Sequence, residues 1–339
     1  MNSHIKGTLA VGLIAAGLAL AFSWAGGIFG RDTLNAPDFV NLQQGAKPHA
    51  GFRRAHAKGL CISGEFVSNG NLATYSAAQL FEQGSTPFTG RYSIGGGNPT
   101  APDLASPVRS LALSLAQANG EQWRTAMNTP PVLAVGNPVD FFEQLQSLQP
   151  DPATGKPDRN KIMAFFQAHP ESAAFLAWQK TYTPTASFAS EQFHGINAFY
   201  LVDRNGKQHA VRWAAVPRST NTETTLDRDN PNALQEELIK RLQNGPVQYD
   251  LVFTFANDSD VIDNGAIPWA GERKQITAGT INITRAEDQS TGNCNAINFD
   301  PLVLPRGIAP SGDPILRARS AAYAESYRRR ARETLLESN

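Results

Sequence analysis

Cysteine is nearly absent: Cys61 and Cys294 are the only two in 339 residues. They form no CxxC pair and no Cys/His grouping with zinc-ligand spacing, which excludes the common structural zinc modules. A single disulfide stays open, because two positions so far apart in sequence define no geometry. Excess charge is missing too. Thirty Lys and Arg balance thirty Asp and Glu, so no global field draws the chain to nucleic acid. The six histidines show no HxxH or HExxH spacing, which argues against a histidine-based metal site. There is no GxSxG nucleophile turn, and no Lys-Ser/Thr follows the glycines of "SIGGGNP" as a phosphate loop requires. Internal repeats and low-complexity blocks are also lacking.

The first 30 residues stand apart. A short polar start with one Lys precedes an apolar run from about Leu9 to Trp24, the pattern of a secretory signal or an N-terminal membrane anchor. A buried helix is the alternative, but such a uniform segment has no polar face. The segment predicts export: a periplasmic protein, or one anchored to the membrane and facing the periplasm or exterior. Residues 31–339 are expected to form a single domain.

Residues 31–58 are mixed and polar, and read as an arm and a loop. "GLCISGEFV" and the start of "FTGRYSIGGGNPTAPD" read as strands. "SPVRSLALSLAQA" fits a helix start or a strand, and "PPVLAVGN" a short strand or extended segment. "PVDFFEQLQSL", "NKIMAFFQAH" and "ESAAFLAWQKTY" follow as helices. Asn205-Gly206 between two apolar runs signals a hairpin. "NALQEELIKRLQNGP" is a helix opened by Asn and closed by Asn-Gly. "VQYDLVFTFAN" and "TAGTINITRAED" alternate as strands do, and a helix starts near Asp313. Strands, helices, strands, then a helix predict an α+β fold built on an antiparallel sheet or barrel.

Two stretches draw chemical interest. "GFRRAHAKG" groups Arg53, His56 and Lys58; alone it reads as a basic surface loop. In the C-terminal helix, Arg319, Tyr323 and Arg330 share one stripe, since positions i, i+4 and i+11 return to nearly the same angle. A guanidinium one turn from a phenol favours the phenolate, a hard oxygen suited to Fe(III). Arg330 has the planar fork that binds a carboxylate. The plainer alternative, a tyrosine packed on the core beside solvated arginines, is common at this spacing.

"RRAHAKG", "GRYSIGGGNPTAPDLASPVRSLAL", "MNTPPVLAVGNPVDFFEQLQS", "FDPLVLPRGIAPSGDPILRARSAAY" and "YRRR" occur in this order. Together they resemble the successive motifs of the haem catalase family, most closely its shorter catalase-related haem peroxidases, over roughly residues 45–335. The resemblance implies an antiparallel β-barrel core with surrounding helices, and haem b (iron protoporphyrin IX) buried between the barrel and the C-terminal helix. It implies His56 as the distal acid/base and Ser93 as the serine that fixes its orientation. Arg53, Arg91 and Arg330 match propionate-binding arginines, and Phe141 matches the aromatic on the haem face. Tyr323 matches the axial iron ligand, with Arg319 as its partner.

One position departs from the family pattern. Where true catalases carry the first Asn of "NNTP", the aligned residue is Met127; its neighbour Asn128 is the alternative pocket residue, should the extra residue at Pro130-Pro131 shift the backbone. A thioether donates no hydrogen bond, so the expectation is a peroxidase with weak or no catalase activity. It would reduce H2O2 or organic hydroperoxides with an unidentified small-molecule electron donor, through an oxidised haem. The alternatives are a true catalase, a fatty-acid hydroperoxide lyase or isomerase, and a non-enzymatic haem-binding protein of the cell envelope. No nucleic-acid partner is expected. The long C-terminal extensions that support tetramers in full-size catalases are not expected here, which leaves the oligomeric state open.

Overall fold

The computed structural model describes residues 34–45, 48–219 and 225–337; the apolar segment in residues 1–30 lies outside them. By its contacts the chain divides into Met1–Asn35 and Ala36–Asn339, and the architecture below belongs to the second unit. Among the described residues, no helix is long and apolar enough to cross a membrane.

Eight antiparallel strands close into a barrel. They are β1 (Gly59–Ser68), β2 (Gly84–Ile94), β3 (Arg109–Ala116), β4 (Gln122–Asn128), β5 (Phe193–Val202), β6 (Gln208–Pro217), β7 (Val247–Phe255) and β8 (Gln275–Asp288). Their order is β4-β3-β2-β1-β8-β7-β6-β5, and pairing of β4 with β5 closes the ring. A short β9 (Ile308–Pro310) adds to β5. The expected hairpin joins β5 to β6, with Gly206 at φ 82° supplying the left-handed turn residue.

Period-two alternation fills the barrel. Along β7, Val247, Tyr249, Leu251, Phe253 and Phe255 are all buried. Trp123 meets Trp213 edge-on at 5.2 Å, and Phe81 meets Phe253 at 5.3 Å, the geometry that ring quadrupoles favour. The two phenols in this core satisfy each other: Tyr249 donates to the Phe188 carbonyl at 2.6 Å and sits 2.7 Å from the Tyr92 hydroxyl.

Among the described residues, six helices lie outside the barrel: α1 (Ala36–Gln44), α2 (Pro138–Ser147), α3 (Arg159–Ala168), α4 (Ala173–Thr181), α5 (Ala233–Leu242) and α6 (Pro314–Glu337). The α+β barrel architecture is therefore as expected. Helix α1 corrects the expectation of an arm over residues 31–58. Pro37 fits its first turn, where a missing N–H costs nothing. Phe39 and Val40 are buried, and Phe39 packs on Phe142 at 5.3 Å and Phe141 at 6.3 Å. The "SPVRSLALSLAQA" stretch resolves to strand β3, whereas "PPVLAVGN" has no ladder of its own and is tied by a bond from Leu133 N to the Gly265 carbonyl. Cys61 and Cys294 form a disulfide, which fastens β1 to the turn Asn293–Ala296.

Candidate active site

Strands β2, β3 and β4 turn two adjacent rows of residues outward, toward α6. One row is Ser93, Ser110 and Asn128; the other is Arg91, Ala112 and Ala126. Rows two residues apart on one face lie roughly 7 Å apart. The loop bearing His56 meets the first row. Tyr323 of α6 packs, as Ala112 of the second row does, against the cluster of Cys61, Cys294 and Phe299. A cavity of about 240 Å³ opens between them. His56, Ser93, Ser110, Asn128, Arg53, Arg91, Arg330, Phe141, Arg319 and Tyr323 all line it.

His56 has φ 52°, the one positive value outside glycine among the described residues. Such strain persists only where the surroundings over-determine it. Here Ala57 donates to the Gly96 carbonyl at 2.9 Å, and its own carbonyl accepts from Arg91 Nη2 at 3.0 Å. Gly59, the first residue of β1, has no room for a side chain: a Cβ there would lie 2.4 Å from the Arg91 guanidinium carbon and 2.3 Å from the Tyr92 carbonyl oxygen. Burial first, then the positive charges of Arg91 and Arg319, lower the His56 pKa to about 4, with a backbone bond to Ile94 working the other way. The imidazole is therefore neutral at pH 7.

Of the two candidates Met127 and Asn128, only the second reaches the cavity. Met127 is fully buried and belongs to the barrel core. It is not a cavity residue, so the inference of a thioether in the pocket is corrected. Asn128 lines the cavity instead. The cause is strand alternation: Trp123, Thr125 and Met127 point in, while Arg124, Ala126 and Asn128 point out. Ser93 does approach the His56 Nδ1, at 3.5 Å, but Ser110 is closer at 3.2 Å and also hydrogen-bonds Asn128 Oδ1.

At the other side, the Tyr323 hydroxyl has no hydrogen-bond partner among the described residues. Arg319 donates to Asn197 Oδ1 and, at 3.2 Å, to the Ala126 carbonyl. Asn197 Nδ2 donates in turn to Asp313 Oδ2 at 2.7 Å. Burial raises the Asp313 pKa, opposed by its bonds to Asn197 and to the first-turn amides of α6. This chain of bonds fixes the angle of the arginine one turn before Tyr323.

Three guanidiniums crowd one part of the cavity wall. Arg53 donates to Asn295 Oδ1 at 2.8 Å and to the Cys294 and Ile297 carbonyls at 3.0 Å. Arg91 donates to Gln289 Oε1 at 2.7 Å, while its Nε is buried without a partner. Arg330 donates to the Asn295 carbonyl at 2.8 Å. Among the described residues none of the three forms an ion pair with a carboxylate. Burial and mutual repulsion lower the pKa of Arg53, and that of Arg91 to about 9. Buried cations without a counter-ion are costly, so the site is complementary to a dianionic group. Carboxylates at one edge, a planar body between the rows and a hard metal centre facing Tyr323 fit this donor set, as haem requires.

Ser110, Asn197 and Asp313 were missed by motif matching. Ser110 could have been found from alternation in "RSLALSL", where it shares a face with Ala112; Asn197 and Asp313 carry no local signal. Outside the cavity, Asp140, His169 and Glu171 bring ligand-type atoms within 4.8 Å of one another on the surface.

The catalase family model matches residues 41–335. A catalase-related peroxidase of Synechococcus elongatus is 38% identical over 287 residues, covering 84% of this chain and 85% of that protein. Another from Mycolicibacterium paratuberculosis is 29% identical over 300 residues, covering 87% and 93%. A solved bacterial catalase superposes with a TM-score of 0.73 at 22% identity, over 89% of this chain and 62% of that one, which speaks to the fold.

Proposed function

The chain belongs to the catalase family, a haem-dependent oxidoreductase acting on peroxide, and from that premise we propose that it is a peroxidase. It would reduce H2O2 or an organic hydroperoxide with an external small-molecule donor: ROOH and a donor AH2 give ROH, water and A. The two relatives from Synechococcus and Mycolicibacterium carry a peroxidase name, and that supports this choice. The observation that carries the chemistry is a neutral His56 and an unpartnered Tyr323 facing one cavity that three unpaired arginines border.

Haem, which we take to be haem b, would supply the redox chemistry on peroxide. Tyr323 would hold its iron, with Arg319 fixed beside it by Asn197. Arg53, Arg91 and Arg330 would bind the propionates, and Phe141 would pack on the macrocycle. His56 would accept the proton of the near peroxide oxygen and return it to the far one, so that the leaving oxygen departs as water or alcohol. Asn128 would donate a hydrogen bond to the peroxide.

True catalase activity is the second reading, and Asn128 favours it. An amide in the cavity restores the polar guide whose supposed loss argued for weak dismutation. The experiment is a paired assay on the haem-loaded enzyme, with oxygen release from H2O2 set against oxidation of an organic donor. Donor oxidation well above oxygen release supports the peroxidase; the reverse sinks it in favour of catalase. A pyridine haemochrome spectrum identifies the haem type. We also propose action outside the cytoplasm, on the strength of the apolar run in residues 9–24. Fractionation of cells expressing the full chain checks this, and recovery in the cytosol would refute it.

A further inference from the structure

We propose that Ser110 is a positioning residue that sets both the tautomer of His56 and the orientation of the Asn128 amide. The inference rests on the peroxide reading above. It begins from one hydroxyl with two neighbours. Ser110 Oγ lies 3.2 Å from His56 Nδ1 and hydrogen-bonds Asn128 Oδ1. The three are brought together by register, since Ser93, Ser110 and Asn128 are opposed across β2, β3 and β4.

A hydroxyl has one proton, and a carboxamide oxygen only accepts. The Ser110 proton therefore belongs to Asn128 Oδ1. Ser110 then offers His56 only lone pairs, so we place the imidazole proton on Nδ1, with the Ser93 hydroxyl at 3.5 Å as a second acceptor. A neutral imidazole has a single N–H, which leaves Nε2 as a bare lone pair and hence a base. The same bond fixes Asn128: with Oδ1 held by Ser110, the Nδ2 group is the donor free to meet a ligand. No side chain among the described residues hydrogen-bonds His56 Nε2 or Asn128 Nδ2; the His56 ring also meets the Ile94 backbone. The cavity thus offers an acceptor and a donor beside each other, the pair that a peroxide O–H and its second oxygen need.

Donation from Ser93 to Nδ1 would put the proton on Nε2, and reversing every bond gives another self-consistent arrangement. Asn128 Nδ2 would donate to Ser110, Ser110 to Nδ1, and Nε2 would carry the proton. That state offers no base to the cavity and turns a carbonyl oxygen toward the peroxide. Ser93, at 3.5 Å from Nδ1 and not bonded to Asn128, cannot couple the two groups.

The test uses haem-loaded wild type, S110A, S110T and S93A, each checked for equal haem content. Two quantities are read: the rate constant for reaction with H2O2, and the dissociation constant for cyanide. Hydrogen cyanide, like peroxide, must give up a proton and accept a hydrogen bond. S110A should lower the first about tenfold or more and raise the second by a similar factor, the scale of one lost hydrogen bond or misplaced base. S110T should stay within about twofold of wild type, since it keeps the hydroxyl, and S93A should change less than S110A. Wild-type values in S110A, or a larger loss in S93A, overturn the inference. If S110A does not fold, the wild type decides alone. Loaded with diamagnetic zinc protoporphyrin and ¹⁵N-histidine, it should show the His56 proton on Nδ1; a proton on Nε2 refutes the proposal. A wild type that binds haem but ignores both peroxide and cyanide overturns the peroxide reading itself.

Discussion

Met127 and Asn128 are adjacent in β4 and face opposite sides of the barrel wall: the thioether is sealed in the core and the amide lines the cavity. The substitution pattern follows. Met127→Leu nearly conserves volume and should cost less than about 1.5 kcal/mol of stability, leaving peroxide reactivity intact. Asn128→Ala should fold normally and lower kcat/KM for peroxide about tenfold, near the value of one hydrogen bond. Denaturation curves and steady-state kinetics on both variants check the pair. An activity loss confined to Met127→Leu would return the thioether to the pocket.

The pH profile should be displaced toward acid. His56 must be neutral to act as a base, and burial with Arg91 and Arg319 lowers its pKa to about 4. The rate constant for peroxide should be flat from pH 8 to about 5 and halve near pH 4, where an ordinary histidine would halve it near 6.5. Stability carries the same sign. The unfolded chain takes up protons at His56 and His194 below about 6.5 while the folded chain resists until about 4. Folding stability should therefore fall as pH drops through that window. Stopped-flow rates and thermal melts across pH measure both.

The disulfide should matter to haem retention as well as to stability. Cys294 sits in the turn whose backbone and Asn295 hold Arg53 and Arg330, and the sulfurs pack beside Tyr323. Cys61→Ser with Cys294→Ser should cost about 2–5 kcal/mol and release haem faster than wild type. Transfer of haem to an apo-globin acceptor, followed by absorbance, gives the rate. Unchanged haem loss would mean that the arginine turn holds without the bridge.

Arg330 should behave oppositely in the two states of the protein. Without haem it adds to a crowd of unpaired cations, so Arg330→Ala should leave apoprotein stability within about 0.5 kcal/mol of wild type or raise it. With haem, loss of a guanidinium–carboxylate contact should weaken binding about tenfold or more. Haem titration and melting of the apoprotein separate the two effects.

Much of this architecture could be read from residue order. The strand alternation of "VQYDLVFTF", the Asn205-Gly206 turn and the late helix are local signals, and each formed as expected. The ordered motifs located the cavity's arginines, His56 and Tyr323 because those residues keep fixed spacing within short stretches. Met127 was misassigned because motif alignment counts positions, whereas a pleated strand decides which of two neighbours faces out. Ser110 and Asn197 escaped notice for a related reason: their roles arise from cross-strand register and from contact with a helix more than a hundred residues away. Helix α1 was hidden by its polar composition, since only Phe39 and Val40 supply its buried face.

The decisive measurement is the absorption spectrum of purified protein titrated with ferric haem, alongside Tyr323→Phe. Wild type should take up one equivalent and give a high-spin ferric spectrum with phenolate-to-iron character, which Tyr323→Phe abolishes. A protein that stays colourless, or whose spectrum is the same in Tyr323→Phe, would contradict haem held by Tyr323 in this cavity.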